Sequence, residues 1–160
     1  MQFHARAAAA RPRLYPESDL VSWVEPGSGV IRVMGRGQWS KAQVGLHFTA
    51  LRNLLEQRRA TGEPVRVMID LRESDVQDMD IMDSISSARA NLYTPQERVA
   101  TIVESSTLRA QLKTGETREN RAFFLSPTAA RIWLNAVWLS SPPAGQQRAP
   151  DVASRWLTSA

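Results

Sequence analysis

Six carboxylates crowd one short stretch of this chain. In VRVMIDLRESDVQDMDIMDS, residues 65–84, an apolar run leads into Asp70, Glu73, Asp75, Asp78, Asp80 and Asp83, with Arg72, Ser74 and Ser84 among them. Carboxylates grouped this way serve three kinds of chemistry. They ligate a divalent cation or act as an acid–base pair. They steer a basic protein partner onto a surface. Or they complement the positive N-terminal end of a helix, with Asp75 or Asp78 as the cap. The spacing D-x-x-D-x-D-x-x-D lacks the glycine and terminal glutamate of an EF-hand loop, and no histidine accompanies it. Residue types alone leave all three readings open, the metal reading with the thinnest support.

The rest of the sequence offers little catalytic chemistry. There is no cysteine, which removes disulfides, thiolate nucleophiles and Cys-ligated zinc. The two histidines are His4, near the N-terminus, and His47, which adjoins an apolar helical stripe and is expected at the edge of the core. No G-x-S-x-G elbow, P-loop or G-x-G-x-x-G is present, so no nucleophile–base pair or phosphate cradle is indicated.

The elements that must position the acidic stretch are well marked. Asp19–Glu25 alternates in the strand period, Pro26-Gly27-Ser28-Gly29 is a turn signal, and Val30–Met34 resumes a strand, which together predict a hairpin. Gly35–Gly37 is expected to end that strand. Ser40 with Gln43 three residues on is a capping box, and Trp39 and Val44 are spaced for a hydrophobic staple. Val44, Phe48, Leu51 and Leu55 then recur at helical spacing, Arg58 and Arg59 suit the helix's negative end, and Gly62 and Pro64 stop it. Val65–Leu71 reads as a central strand buried on both faces. A second helix is predicted over Asp78–Tyr93 with Met79, Met82, Ile85, Ala88 and Leu92 inward. Val99–Val103 is a further strand. Ser105-Ser106-Thr107 opens a helix ending near Gly115, Ala122–Leu125 is a short strand, and Ser126-Pro127 opens a last helix.

Composition places limits. The chain has 160 residues, room for one self-sufficient domain. No apolar run approaches the roughly 18 residues that span a bilayer. The pI near 10.3 suggests nucleic acid at first sight. Its basic excess, however, lies in the ends: Arg6, Arg11 and Arg13 without an acid in the first fourteen residues, and Arg148 and Arg155 against Asp151 in the last twenty-two. The intervening residues balance, and a nucleic-acid face concentrates its charge on folded structure. Residues 1–18 are expected as a flexible basic arm, 139–160 as a Pro/Ser/Gln-rich tail, and the protein as cytoplasmic. Trp138 and Leu139 suggest an apolar patch suited to a homodimer contact or to cover by the tail.

The order β-β-α-β-α-β-α-β-α over residues 19–138 resembles the STAS domain, the fold of SpoIIAA-like anti-sigma-factor antagonists. Short motifs support the likeness: Gly37, Trp39 and Ser40 as GxWS before the first long helix, Ile69-Asp70-Leu71 at a strand end, and SPxxARxWL from Ser126 to Leu134. They are similar to those of bacterial proteins grouped as SpoIIAA-like or lipid-binding Sec14-like. The resemblance implies an α/β fold with a mostly parallel sheet covered by helices, and a non-catalytic regulatory module without a cofactor. Its protein partner would dock at the edge carrying Asp70, Arg72, Ser74, Asp75 and Asp78. In the antagonists a serine opening the second helix, in an Asp-Ser-Ser-Gly context, is phosphorylated by a partner kinase. Met82-Asp83-Ser84 is the partial echo here, which makes Ser84 the candidate phosphosite. Ser84 is followed by Ile85 rather than Ser-Gly, and it falls inside the expected helix. The Sec14-like grouping implies an alternative, a carrier of a small apolar or lipid ligand, for which Met68, Met79 and Met82 would be adaptable lining.

Overall fold

The structure, a computed structural model, describes residues 18–114 and 118–136. The basic arm up to residue 17, the Trp138–Leu139 patch and the tail lie outside the described residues, as does Gly115, two residues past the end of the third helix at Lys113.

Strands β1 (Asp19–Val24) and β2 (Ile31–Gly37) form the expected antiparallel hairpin. Helix α1 (Lys41–Ala60) follows, then β3 (Arg66–Ser74), α2 (Met79–Arg89), β4 (Arg98–Ile102), α3 (Ser106–Lys113), β5 (Arg121–Phe124) and α4 (Pro127–Asn135). The five strands form one sheet in the order β1-β2-β3-β4-β5, parallel from β2 onward. This is the α/β, mostly parallel architecture expected from the alternating elements.

The local signals act as anticipated at the helix starts. Ser40 Oγ accepts from Gln43 N at 3.2 Å, and Ser40 N donates to Gln43 Oε1 at 2.9 Å, closing the capping box. Trp39 and Val44 are buried in one cluster on the two sides of that cap. Ser105 and Ser126 cap α3 and α4 with their side chains alone, accepting from Leu108 N and Ala129 N, and Pro127 occupies the first turn of α4. At the other end of α1, Arg59 makes a two-pronged ion pair with the buried Glu97, at 2.6 and 2.9 Å.

The sheet has two different coverings. On one face Ile31, Val33, Val67 and Val99 meet Leu51 and Leu55 of α1, and Leu71 and Val103 meet Ile81, Met82 and Ile85 of α2 and Leu108 and Leu112 of α3. On the other face α4 lies alone, pressing Ala130 and Leu134 onto Val30, Met68, Ala100 and Ile102.

Several expectations are corrected. Strand β2 runs through the GRG to Gly37 instead of ending before it. Gly35 has to be glycine because Trp39 and Leu71 press on it: a Cβ there would stand 2.5 and 2.7 Å from their side-chain atoms. Strand β3 continues to Ser74 because Glu73 and Ser74 still pair with Arg36 and Gly37. Helix α2 is shorter than 78–93, with Leu92 and Tyr93 buried beyond its end. Met79, expected inward, is 73% exposed, because it opens the helix before the apolar stripe of Ile81, Met82 and Ile85 begins. His47, expected at the core's edge, is buried at 6% exposure. The apolar β5 is an edge strand, partly exposed throughout.

Candidate functional site

A β-bulge divides the acidic stretch. Between Met34 and Arg36 strand β2 advances two residues, while β3 advances three, from Asp70 to Glu73. The extra residue shifts the inside–outside alternation. Leu71 and Ser74 therefore both turn inward, and Arg72 and Glu73 face solvent. The residues expected to act together fall into two groups.

Asp70 and Arg72 form the first group. Asp70 aligns with Met34 on one side and Ile102 on the other, so it looks toward the α4 face. Its carboxylate accepts from Arg72 Nε at 3.0 Å and Arg72 Nη2 at 2.7 Å. That two-pronged contact holds Asp70 below the ordinary carboxylate range and raises Arg72. Arg36 and Glu73 pair alongside at 2.6 Å.

The second group sits where α1 and α2 begin. Its organiser is Gln77, 3% exposed, which sequence reading passed over for its charged neighbours. Gln77 Oε1 accepts from Trp39 N at 2.9 Å, and Nε2 donates to Gly37 O and Asp75 O at 3.0 and 2.8 Å. Gln111 of α3 closes the other side, accepting from Gln77 N and donating to Gln77 O. The Gln77 amide thus ties the end of β2, the entry to α1 and the 75–78 loop together, and the Gln111 amide ties the Gln77 backbone to α3. No local signal reveals this, since every partner but Asp75 lies 34 to 40 residues away.

The loop so fixed presents Asp75, Val76, Asp78 and Met79 outward. Asp78 takes the N-cap position of α2, but its carboxylate makes no capping bond and is left to solvent. Asp80 reaches Lys41 of α1 at 3.3 Å. A cleft of about 240 Å³ lies between the two helix starts, lined by Ser40, Lys41, Gln77, Asp78 and Asp80. Ser74 is buried, its Oγ within 2.9 Å of where a Cβ on Gly35 would stand. Ser84 lies in the second turn of α2, its hydroxyl donating to the Asp80 carbonyl at 2.9 Å. Among the described residues no three His, Asp or Glu side chains are grouped to hold a metal ion. No described helix is long and apolar enough to cross a membrane.

The three methionines do not share a site. Met68 is buried under α4, Met82 is buried on the opposite face of the sheet, and Met79 is in solvent. None lines the slot between the sheet and helices α1–α3, which measures about 80 Å³. Ligand pockets for drug-sized molecules begin at roughly 300 Å³. That slot therefore offers the lipid-carrier alternative neither its lining nor its volume.

The fold has solved counterparts. The chain is similar to a protein of the DUF3478 family with a SpoIIAA-like fold from Shewanella loihica PV-4, at TM-score 0.52 and 17% identity over 73% of this chain and 94% of that one. It is similar to the same degree to an anti-sigma factor antagonist from Mycobacterium paratuberculosis, at TM-score 0.52 and 13% identity over 72% and 94%. No family model matches the sequence, and no curated protein is similar to it. Strand order, helix placement and these two structures agree: the described domain has a STAS-like, SpoIIAA-like fold.

Proposed function

We propose that this protein is a non-catalytic regulatory module of the cytoplasm that docks a protein partner through the 75–78 loop and the first turns of α2. One observation carries the reading. Val76 and Met79, 40% and 73% exposed, stand among Asp75, Asp78 and Asp80 on a backbone that Gln77 holds from four directions. A rigid loop that offers apolar anchors inside a ring of acids suits a partner with basic residues around an apolar groove. Rigidity matters because an ordered docking surface loses little entropy on binding. The anti-sigma factor antagonist among the similar structures supports a partner-binding role for the fold. Asp70 and Arg72 sit at the same end of β3 and would extend the contact, with the buried Ser74 packed beneath it. A phosphate on Ser84 would cost its bond to the Asp80 carbonyl and add charge beside Asp80 and Asp83, weakening the dock.

The test is co-purification from the source cells with the full chain as bait. Asp75→Lys with Asp78→Lys, and separately Met79→Glu, should each release a partner that the wild type retains, with unchanged melting temperatures. A partner still retained at wild-type level by both variants rejects the surface.

A further inference from the structure

Strand β5 ends the sheet, and among the described strands it pairs only with β4. The Asn120 and Phe124 carbonyls accept from Val99 N and Val103 N, each at 3.0 Å, so both face β4. Backbone groups alternate sides along a strand, so Arg121 and Phe123 direct theirs the other way. The Arg121 N–H is engaged by the Arg118 carbonyl at 3.2 Å. The Arg121 carbonyl and both backbone groups of Phe123 are then the template that an edge strand offers to another chain.

The flank of this edge is basic. Lys113 Nζ lies 5.5 Å and Arg109 Cζ 5.9 Å from the centre of the Phe123 ring. Neither side chain forms an ion pair or hydrogen bond with another described residue. Over residues 105–125 Arg109, Lys113, Arg118 and Arg121 stand against Glu116 and Glu119. Arg109 and Lys113 are four residues apart on α3, about 6 Å along the helix. Alternate side chains of a strand are about 6.6 Å apart, so two carboxylates at i and i+2 match that pair. The other face is apolar: Phe124 packs against Trp133 at 5.7 Å, and both stay partly accessible.

We propose that the β5 edge binds an extended acidic peptide as a sixth strand, with acidic and apolar residues alternating along it. Its backbone pairs with Phe123, its carboxylates meet Arg109 and Lys113 on the α3 face, and its apolar side chains lie beside Phe124 on the α4 face. Charge selects this occupant. A second copy joined edge to edge would set two patches of like sign together. A polynucleotide carries the right charge but has no strand backbone to satisfy Phe123. This surface is separate from the acidic docking loop, takes a partner of opposite charge, and stands whether or not that loop binds anything.

The probes are capped peptides titrated into the full-length protein at low salt. The amide resonances of residues 121–124 and hydrogen exchange at Phe123 N–H are followed by NMR. Glu-Val-Glu-Val-Glu should shift these amides and slow exchange at Phe123, and its affinity should fall as salt is added. Glu-Glu-Glu-Val-Val, of equal charge without the alternation, should bind about tenfold more weakly. Lys-Val-Lys-Val-Lys should not bind. In Arg109→Glu with Lys113→Glu, checked for fold by circular dichroism, the preference should reverse, the basic peptide binding and the acidic one not. The wild-type series decides the matter if that variant fails to fold. No shift with Glu-Val-Glu-Val-Glu, or equal affinity for Glu-Glu-Glu-Val-Val, overturns the proposal. So does a Phe123 amide already protected in the free protein, which would mean an edge covered by this chain or a second copy. A ten-thymidine oligonucleotide that displaces the acidic peptide would make the edge a nucleic-acid surface and overturn it as well.

Discussion

The two faces of the sheet are covered by opposite strategies. Under α4, small residues bring backbone against backbone: Ala130 and Ala100 are both fully buried, and Met68, Ile102 and Leu134 fill what remains. The rim is laced with polar contacts. Arg131 holds Glu25 with two bonds of 3.0 Å, Arg66 reaches Asn135, and Arg98 donates to the Trp133 and Ala136 carbonyls at the helix's negative end. Under α1–α3, bulky side chains on both sides hold the layers apart and leave the slot above Ile69 and Thr101. The difference teaches that apolar patterning decides which residues face inward, whereas residue size decides how closely the layers meet.

Matched truncations would sharpen the comparison most. Ile102→Ala, on the tight face, removes a fully buried side chain and should lower unfolding free energy by about 4 kcal/mol in urea. Ile69→Ala, over the slot, should cost no more than about half of that, because its side chain already borders space. Equal losses would mean that the two faces pack alike.

The second effect is acid sensitivity, which belongs to the slot face. His47 has its pKa lowered from 6.5 to about 4 by burial, so the unfolded chain takes up a proton that the folded one refuses. Stability is full above pH 6.5 and falls as pH drops toward 4, by about 3 kcal/mol in all. Urea midpoints measured from pH 7.5 to 4 should show this slope, and His47→Leu should flatten it.

The smallest effect concerns the rim of the tight face. The two-pronged bond from Arg131, with help from Ser28, holds the Glu25 carboxyl at about 2 instead of 4.5. The pair is partly solvated, so Glu25→Gln should cost only about 1 kcal/mol near pH 7, and less in high salt. That contribution is present above pH 4.5 and fades as pH falls toward 2.

Most of the scaffold was readable because it rests on local chemistry. The capping box at Ser40 and Gln43, the Ser126-Pro127 start and the hydrophobic periods need only neighbours in the chain. The site was read less well. Asp75 and Asp78 were found by their charge, but Gln77 between them carries none, and its work depends on partners in β2, α1 and α3. The bulge that turns Arg72 outward and Ser74 inward is a matter of register between strands, which no periodicity within one strand reveals. His47 was placed at the core's edge by its position beside the apolar stripe of α1, while its burial depends on the elements packed around that helix, which the stripe alone does not reveal.

Spatial order in the sheet equals order along the chain. Each strand from β2 to β5 therefore joins an edge already present, and no later segment must be threaded between two earlier ones. The chain can assemble by accretion as it leaves the ribosome, N-terminal hairpin first, with each helix laid down before the next strand arrives. Of the described elements β5 and α4 are added last, so the tight face closes only once α4 has been made. Until then Val30, Met68, Ala100 and Ile102 stand open on a growing sheet, and the nascent chain is most adhesive in that interval.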